Sequence, residues 1–365
     1  MKVKLADIAA RAGVSEATVS RVLNGKSGVA DSTRQAVLTS VDVLGYERPS
    51  LLRKKSAALV GLVVPELDNP VFPLFAQVIA SALVQHGYTP VLCTQGLGGV
   101  HEDDYVRMLL ERGVSGIMFV SGQHADTTTD PARYVRLRER NLPIVLINGY
   151  IGGVDAPFIS NDDDASMDLA IGHLVQLGHQ HIGLAVGPRR YVPVVRKIAG
   201  FHDALLRHLG ASIEADTVDA MVECSHFSVE GGAAAAQNLV ERGATAVVCG
   251  SDLMALGAVR AIRERGLRVP EDVSVIGSDD SQFMEFTDPP LTTVRQAVVA
   301  MGSAAVRALL DGISGIPAPC AEYVFRPELV VRGSTAPAPS AAALPGQRAS
   351  DGRVSGEARQ AVDVG

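Results

Sequence analysis

Several oxygen-bearing side chains follow directly on apolar, strand-like runs in this 365-residue chain. Asp68 and Asn69 come after GLVVPEL, Asn148 after IVLI, Asp162 shortly after FIS, Asp252 after VVCGS, and Asp279 after VSVIGS. Ligands of open parallel sheets bind beyond the carboxyl ends of strands. Carboxylates and amides there accept pairs of hydroxyls, which is the chemistry of holding a sugar. Each residue alone suits a helix cap or a turn equally well, so the set carries more than any member. A second constellation lies in LADIAARAGVSEATVSRVLNG, where Glu16, Ala17, Ser20, Arg21 and Asn24 share one polar helical face. An arginine among small residues on a short helix suits the major groove of DNA. There a guanidinium bonds guanine in bidentate fashion and small side chains meet a thymine methyl. A three-helix bundle with a solvated face explains the same spacing.

The elements behind these residues are legible from periodicity. Leu5, Ile8, Ala9 and Ala12 form one stripe at helical spacing. Gly13 permits the turn that follows, and Ser15 is placed to cap the next helix. Val19, Val22 and Leu23 are its inner face, and a third helix, about 31–44, brings Val37, Val41 and Leu44 behind the pair. From Leu59 onward apolar runs (LVGLVV, TPVLCT, GIMFVS, IVLIN, HIGLAVG, AVVCG, VSVIG) alternate with helical stretches. Near-continuous apolar strands between helices indicate parallel sheets covered on both faces, and there are enough for two lobes. The expected organisation is an all-α head at 1–45, a short linker at 46–58, a two-lobed α/β body at 59–335 and a disordered tail at 336–365, rich in Ala, Pro, Ser and Gly.

Charge separates the two parts. Residues 1–56 hold ten Lys and Arg against five Asp and Glu, whereas the remainder is net −12. A basic head on an acidic body points to a polyanionic partner for the head only. No apolar run reaches 18 residues and the first residues lack a secretory stretch, so a cytoplasmic protein with no membrane partner is expected. The four cysteines are far apart with no C-x-x-C, which reads as buried reduced thiols. Signatures of phosphate-binding loops, serine hydrolases and zinc proteases are absent. His179 and His181 read as a helix–strand turn, and Asp162, Asp163 and Asp164 as the start of a helix near Ala165. No enzyme, cofactor or metal is expected.

The string DIAARAGVSEATVSRVLNGKSGV, followed by TRQAV and LGY, resembles the LacI/GalR family of repressors. The likeness continues through GVSGIMFVS, HLVQLGHQHIGLAVGP, GSDLMALGAVRAIRERGLRVPEDVSVIGSDD and PPLTTVRQ, over roughly residues 4–335 in one collinear order. It implies a body like a periplasmic sugar-binding protein, with an effector between two lobes, and homodimers that place two heads on a palindromic operator. GYERPSLLRKKSA, CTQ at 93–95, SGQHADTT, APFISNDDDA and RYVPVVRKIAGF resemble the maltose-repressor branch, which implies maltose or a related α-glucoside as effector. A co-repressor such as a purine, or a sugar-binding body with an idle head, are the alternatives.

Carried over by residue, the likeness makes the second helix the DNA reader. Ser15 precedes the variable positions Glu16 and Ala17, and Thr18, Ser20, Arg21 and Asn24 match phosphate-contacting and base-contacting positions. Glu16 sits oddly against phosphate; it either accepts from a cytosine amine or supports Arg21 through water. Ala30 stands where the family has a Ser or Thr cap. The linker is about three residues short, with Lys55 at the place of the leucine that wedges into the minor groove. Leu51 or Leu52 is then the wedge, and Arg53 and Lys54 contact phosphates. In the body, Asp279 matches an effector-contacting Asp and Phe227 a stacking aromatic. Lys197, beside Arg196, replaces an Arg three residues before Gly200, offering a point charge in place of a planar fork. Tyr191 and Phe72 supply further donors or stacking faces in a chain without Trp.

Overall fold

The stripe of Leu5, Ile8 and Ala9 does fold as a helix. The computed structural model of the chain describes residues 3–23, 28–44, 46, 58–95, 99–210, 215–316 and 319–339. The chain divides into two units, Met1–Ala57 and Ala58–Gly365. In the first, α1 (Leu5–Ala12), α2 (Glu16–Leu23) and α3 (Asp31–Leu44) pack Ile8, Ala9, Val19, Val22 and Val37 into a small core. Asp7 accepts from the Lys4 N–H at the start of α1, at 2.7 Å. Gly13 ends that helix with φ +67°, a left-handed conformation glycine adopts without strain.

The second unit has two lobes. Lobe 1 begins with β1 (Leu59–Val64), α4 (Val71–Gln85), β2 (Thr89–Thr94), α5 (Glu102–Glu111), β3 (Gly116–Val120), α6 (Ala132–Glu139), β4 (Ile144–Ile147) and β5 (Phe158–Asn161). Lobe 2 continues with α7 (Asp163–Gln176), β6 (Ile182–Val186), α8 (Val192–Leu209), α9 (Ala215–Ala220), β7 (Val222–Cys224), α10 (Val229–Glu241), β8 (Ala246–Cys249), α11 (Asp252–Glu264), β9 (Ser274–Ser278) and β10 (Thr292–Arg295). The chain then returns to lobe 1 for α12 (Val298–Ile313) and β11 (Glu322–Phe325), and ends in lobe 2 with β12 (Glu328–Val330). The sheets run β11-β5-β4-β3-β1-β2 and β12-β10-β9-β8-β6-β7, parallel except where β12 meets β10. Strands β1, β3, β4, β6, β8 and β9 are almost wholly buried because each sheet has an apolar core on both faces. That is why their sequences read as continuous apolar runs and not as alternations.

Three crossings, at 161–163, 295–298 and 325–328, join the lobes. Each leaves the carboxyl end of a strand, so the carboxyl ends of both sheets look toward the space between the lobes. The crossings lie where β5 and β11 meet β10 and β12, at one side of each sheet. The Asp162 N–H donates to the Phe325 carbonyl at 2.9 Å, tying two crossings together.

Two expectations change. The body does not stop at Thr335: the Ala336 carbonyl lies 3.0 Å from His179 Nε2, and the Ala338 N–H donates to the Leu177 carbonyl at 2.8 Å. Cys93 and Cys249 are buried, but Cys224 and Cys320 are exposed, and none of the four forms a disulfide. Strand ends and loops, where these two lie, do not bury a side chain as strand centres do. Among the described residues no helix is long and apolar enough to cross a membrane, and no group of His, Cys, Asp or Glu could hold a metal ion.

Candidate functional site

In the head, the second helix is set by its ends and its inner face. Ser15 Oγ accepts from the Thr18 N–H at 3.2 Å and lies 3.0 Å from Thr18 Oγ1, so Ser15 caps α2 and Thr18 is held beside it. Val19 and Val22 are buried, which turns Glu16, Ala17 and Arg21 to solvent, while Ser20 is half-buried. These are the positions expected to read DNA. Asn24, Leu51, Leu52, Arg53 and Lys54 lie outside the described residues.

In the body, the expected cleft residues fall into two groups. Asp279 ends β9 with φ +108° and is buried, as is Lys197 on α8. The Asp279 carboxylate accepts from Gln296 Nε2 at 2.6 Å, and Lys197 pairs with Asp163. Burial and the neighbouring Asp252 push the Asp279 carboxyl well above its usual range, against the Gln296 hydrogen bond and the Lys197 charge. Asp163, Gln296, Asp279 and Lys197 thus form one cluster beside the hinge, drawing on both crossings at 161–163 and 295–298. Phe227 is half-buried with its ring seated on Gly187: a Cβ there would lie 2.0 Å from Phe227 Cε2, so only glycine admits the ring. Tyr191 stands 6.4 Å from Phe227, centroid to centroid, and the Arg190 guanidinium covers it at 4.9 Å. Asp68 is exposed beyond β1, close to Glu66, whose carboxyl is raised by burial and by the Asp68 charge.

The other expected residues have internal partners. Asn69 is buried and its Oδ1 accepts from the Val71 N–H at 3.3 Å, starting α4, where Phe72 packs half-buried on the lobe core. Asp162 caps α7 by accepting from the Ala165 N–H at 2.9 Å. Asp252 accepts from Thr293 Oγ1 at 2.6 Å and the Ser281 N–H at 2.7 Å. Burial pushes its carboxyl up to about 6 despite those bonds. Asn148 adopts φ +61° beyond β4 and donates its N–H to the Ile159 carbonyl at 2.8 Å. Arg196 forks onto Glu322 at 2.6 and 3.0 Å, linking α8 of lobe 2 to β11 of lobe 1. Burial alone would raise the Glu322 carboxyl, but the hydrogen bonds and charge of Arg196 carry it below its ordinary value. Arg196 is therefore a strut between lobes.

Sequence reasoning passed over Asp163, Gln296 and Glu322. The crossing segments hold all the signal there was: Asp163 and Gln296 each sit one or two residues past a strand end, as the chosen residues do.

Residues 4–49 match the bacterial regulatory proteins of the lacI family, and residues 171–335 match the periplasmic binding protein-like domain. The HTH-type transcriptional regulator MalR of Streptomyces coelicolor is 62% identical over 340 residues, which cover 93% of this chain and 98% of that protein. The regulator reg1 of Streptomyces lividans is 62% identical over 339 residues, covering 93% and 98%. A transcriptional regulator CelR–cellobiose complex superposes with a TM-score of 0.67 at 32% identity, covering 91% of this chain and 100% of that one. The lac repressor dimer bound to operator and the anti-inducer ONPF gives 0.65 at 30% identity, covering 92% and 100%. These relatives are DNA-binding regulators and not enzymes. The chain belongs to the LacI family of bacterial transcriptional regulators.

Proposed function

We propose that the protein is a repressor whose hold on a palindromic operator is released when a small sugar, maltose or a related α-glucoside, occupies the cleft. The observation that carries this is the hinge cluster. The amide oxygens of Gln296 and Asn161 are buried and accept no hydrogen bond among the described residues. Buried acceptors are normally satisfied, and sugar hydroxyls are donors that also accept from Lys197. Phe227 and Tyr191 offer the flat apolar face that a pyranose ring presses against. Asp163 presents acceptor oxygens where a phosphate needs donors, which weighs against a nucleotide co-repressor. The solved relative CelR is in complex with cellobiose, another disaccharide.

The sugar meets groups from both lobes, so it favours one lobe arrangement and shifts an equilibrium that exists without it. Two copies of the chain place their heads on the two half-sites, in the cytoplasm where the operator is. A thermal-shift series of the full chain against glucose, maltose, cellobiose and a purine tests the ligand. A saturating ligand at 100 times Kd stabilises by about 2.7 kcal/mol. A shift with the purine and none with any sugar overturns the sugar reading. Arg21→Ala tests the head: operator affinity falls by about 1–3 kcal/mol if Arg21 bonds a base, and unchanged affinity speaks against it.

A further inference from the structure

The motifs CTQ and SGQHADTT meet in one place, on the side of the cleft away from the hinge. After β3 the chain runs through an arm, 121–130, whose base is built from a buried hub. Glu102, fully buried at the start of α5, accepts from Tyr134 Oη at 2.6 Å, the Gln123 N–H at 3.0 Å and Gln95 Nε2 at 3.1 Å. Tyr134 Oη in turn accepts from the His124 N–H at 2.9 Å, and the buried His124 ring is 3.0 Å from the Ile147 carbonyl. All of these groups belong to lobe 1, so the arm is shaped without help from lobe 2.

Its tip crosses the cleft. The Arg190 carbonyl of lobe 2 accepts from the Thr127 N–H at 2.7 Å and from Thr127 Oγ1 at 2.8 Å. Asp126 pairs with Arg190 Nε at 3.0 Å and forms an antiparallel bridge with Tyr191. The same Asp126 carboxylate holds the Thr128 N–H at 2.9 Å, which presets the tip. Tyr191 adjoins Phe227, so this contact lies one side chain beyond the stacking platform. The two lobes therefore touch at this contact as well as beside the hinge cluster.

We infer that the arm is a clasp that selects ligands by length: Asp126 and Thr127 must part from Arg190 for a ligand to reach the cleft, and they close again only over a sugar short enough to lie behind them. This rests on the sugar reading for the ligand class, and on the arm's own geometry for the closure.

The test locks the clasp in the full chain. The bond from Thr127 N–H to the Arg190 carbonyl marks Asp126 and Tyr191 as a non-hydrogen-bonded antiparallel pair, whose Cα atoms lie about 4.5 Å apart, within disulfide range. Asp126→Cys with Tyr191→Cys is made in a Cys224→Ser, Cys320→Ser background and compared oxidised and reduced. The oxidised form is expected to take up maltose slower by on the order of 100-fold, with reductant restoring the rate. Equal uptake by both forms overturns the clasp. If neither form binds maltose while the unaltered chain does, the loss is that of the Tyr191 ring and cross-linking yield judges the clasp; if the unaltered chain does not bind it either, the sugar reading fails for maltose. A disulfide that closes rapidly upholds the contact, and thiols that stay free overturn it. For the length filter, Arg190→Ala is compared with the unaltered chain on maltose and maltotetraose. The ratio of the two affinities is expected to shift toward maltotetraose by about two- to fivefold, and an unchanged ratio removes the filter.

Discussion

The two ends of the cleft are closed by different chemistry. Beside the hinge, Lys197 and Asp163 pair with side chains only 10% and 6% exposed, and Arg196 grips Glu322 from the other lobe. At the mouth, Asp126 is itself only 17% exposed but meets an Arg190 whose side chain is half in solvent. Charges out of water are costly to part, because each is left without solvent or partner. Charges in water are cheap to part, because solvent replaces the partner. A protein that must admit and release a ligand through one side needs this asymmetry: a fixed axis and a reversible catch.

The asymmetry sets the order of expected effects. Lys197→Met leaves Asp163 buried and unpaired, near Asp279, and is expected to cost about 3–5 kcal/mol in urea unfolding. A loss below about 1 kcal/mol, the scale of exposed pairs, would erase the distinction between the two ends.

pH separates the ends by sign. Burial pushes His124, at the base of the arm, down to about 4, although the Ile147 carbonyl favours its charged form. A lowered histidine contributes stability that is present above its unfolded value of about 6.5 and lost as pH falls toward 4. Burial instead raises Asp252 and Asp279. Raised carboxyls contribute stability that is present below about 4 and lost as pH rises through their folded-state value, about 6 for Asp252. Moving from pH 7 to pH 5 therefore loosens the arm by about 2 kcal/mol and firms the hinge side by about 1 kcal/mol. Hydrogen exchange of the Thr127 and Asp279 amides, corrected for intrinsic rates, should change in opposite directions. A common direction would contradict the assignment of the two environments.

Arg196→Ala removes a two-pronged but partly exposed strut, with an expected loss of about 1–2 kcal/mol. Arg190→Ala keeps the backbone bond from Thr127 and is expected to change unfolding by less than about 1 kcal/mol while speeding ligand release. If Arg190→Ala proves more damaging than Arg196→Ala, the mouth is structural and the comparison inverts.

Much of this molecule could be read from residue order alone. The stripes of α1 and α2, the turn at Gly13, the cap at Ser15 and the buried strands all rest on local spacing, which sequence displays directly. The helix cap expected from the run Asp162, Asp163 and Asp164 also stands. What spacing does not display is which polar group at a strand end turns inward. Asn69 and Asp252 look like Asp68 and Asp279 in sequence, yet the first two are tied to nearby backbone or to Thr293. The strut from Arg196 to Glu322 and the clasp from Asp126 to Arg190 join residues 126 and 64 positions apart. No periodicity links them; the fold alone brings them together.

A sugar in the cleft should control the head's grip on DNA. The most direct measurement is operator affinity of the full chain, on a palindrome selected from random DNA by the protein itself, as maltose is titrated. Saturating maltose is expected to weaken binding by about 5- to 150-fold, with Asp279→Asn abolishing the response but not the binding. Operator affinity that stays constant at maltose levels shown to fill the cleft would mean that the cleft does not govern the head.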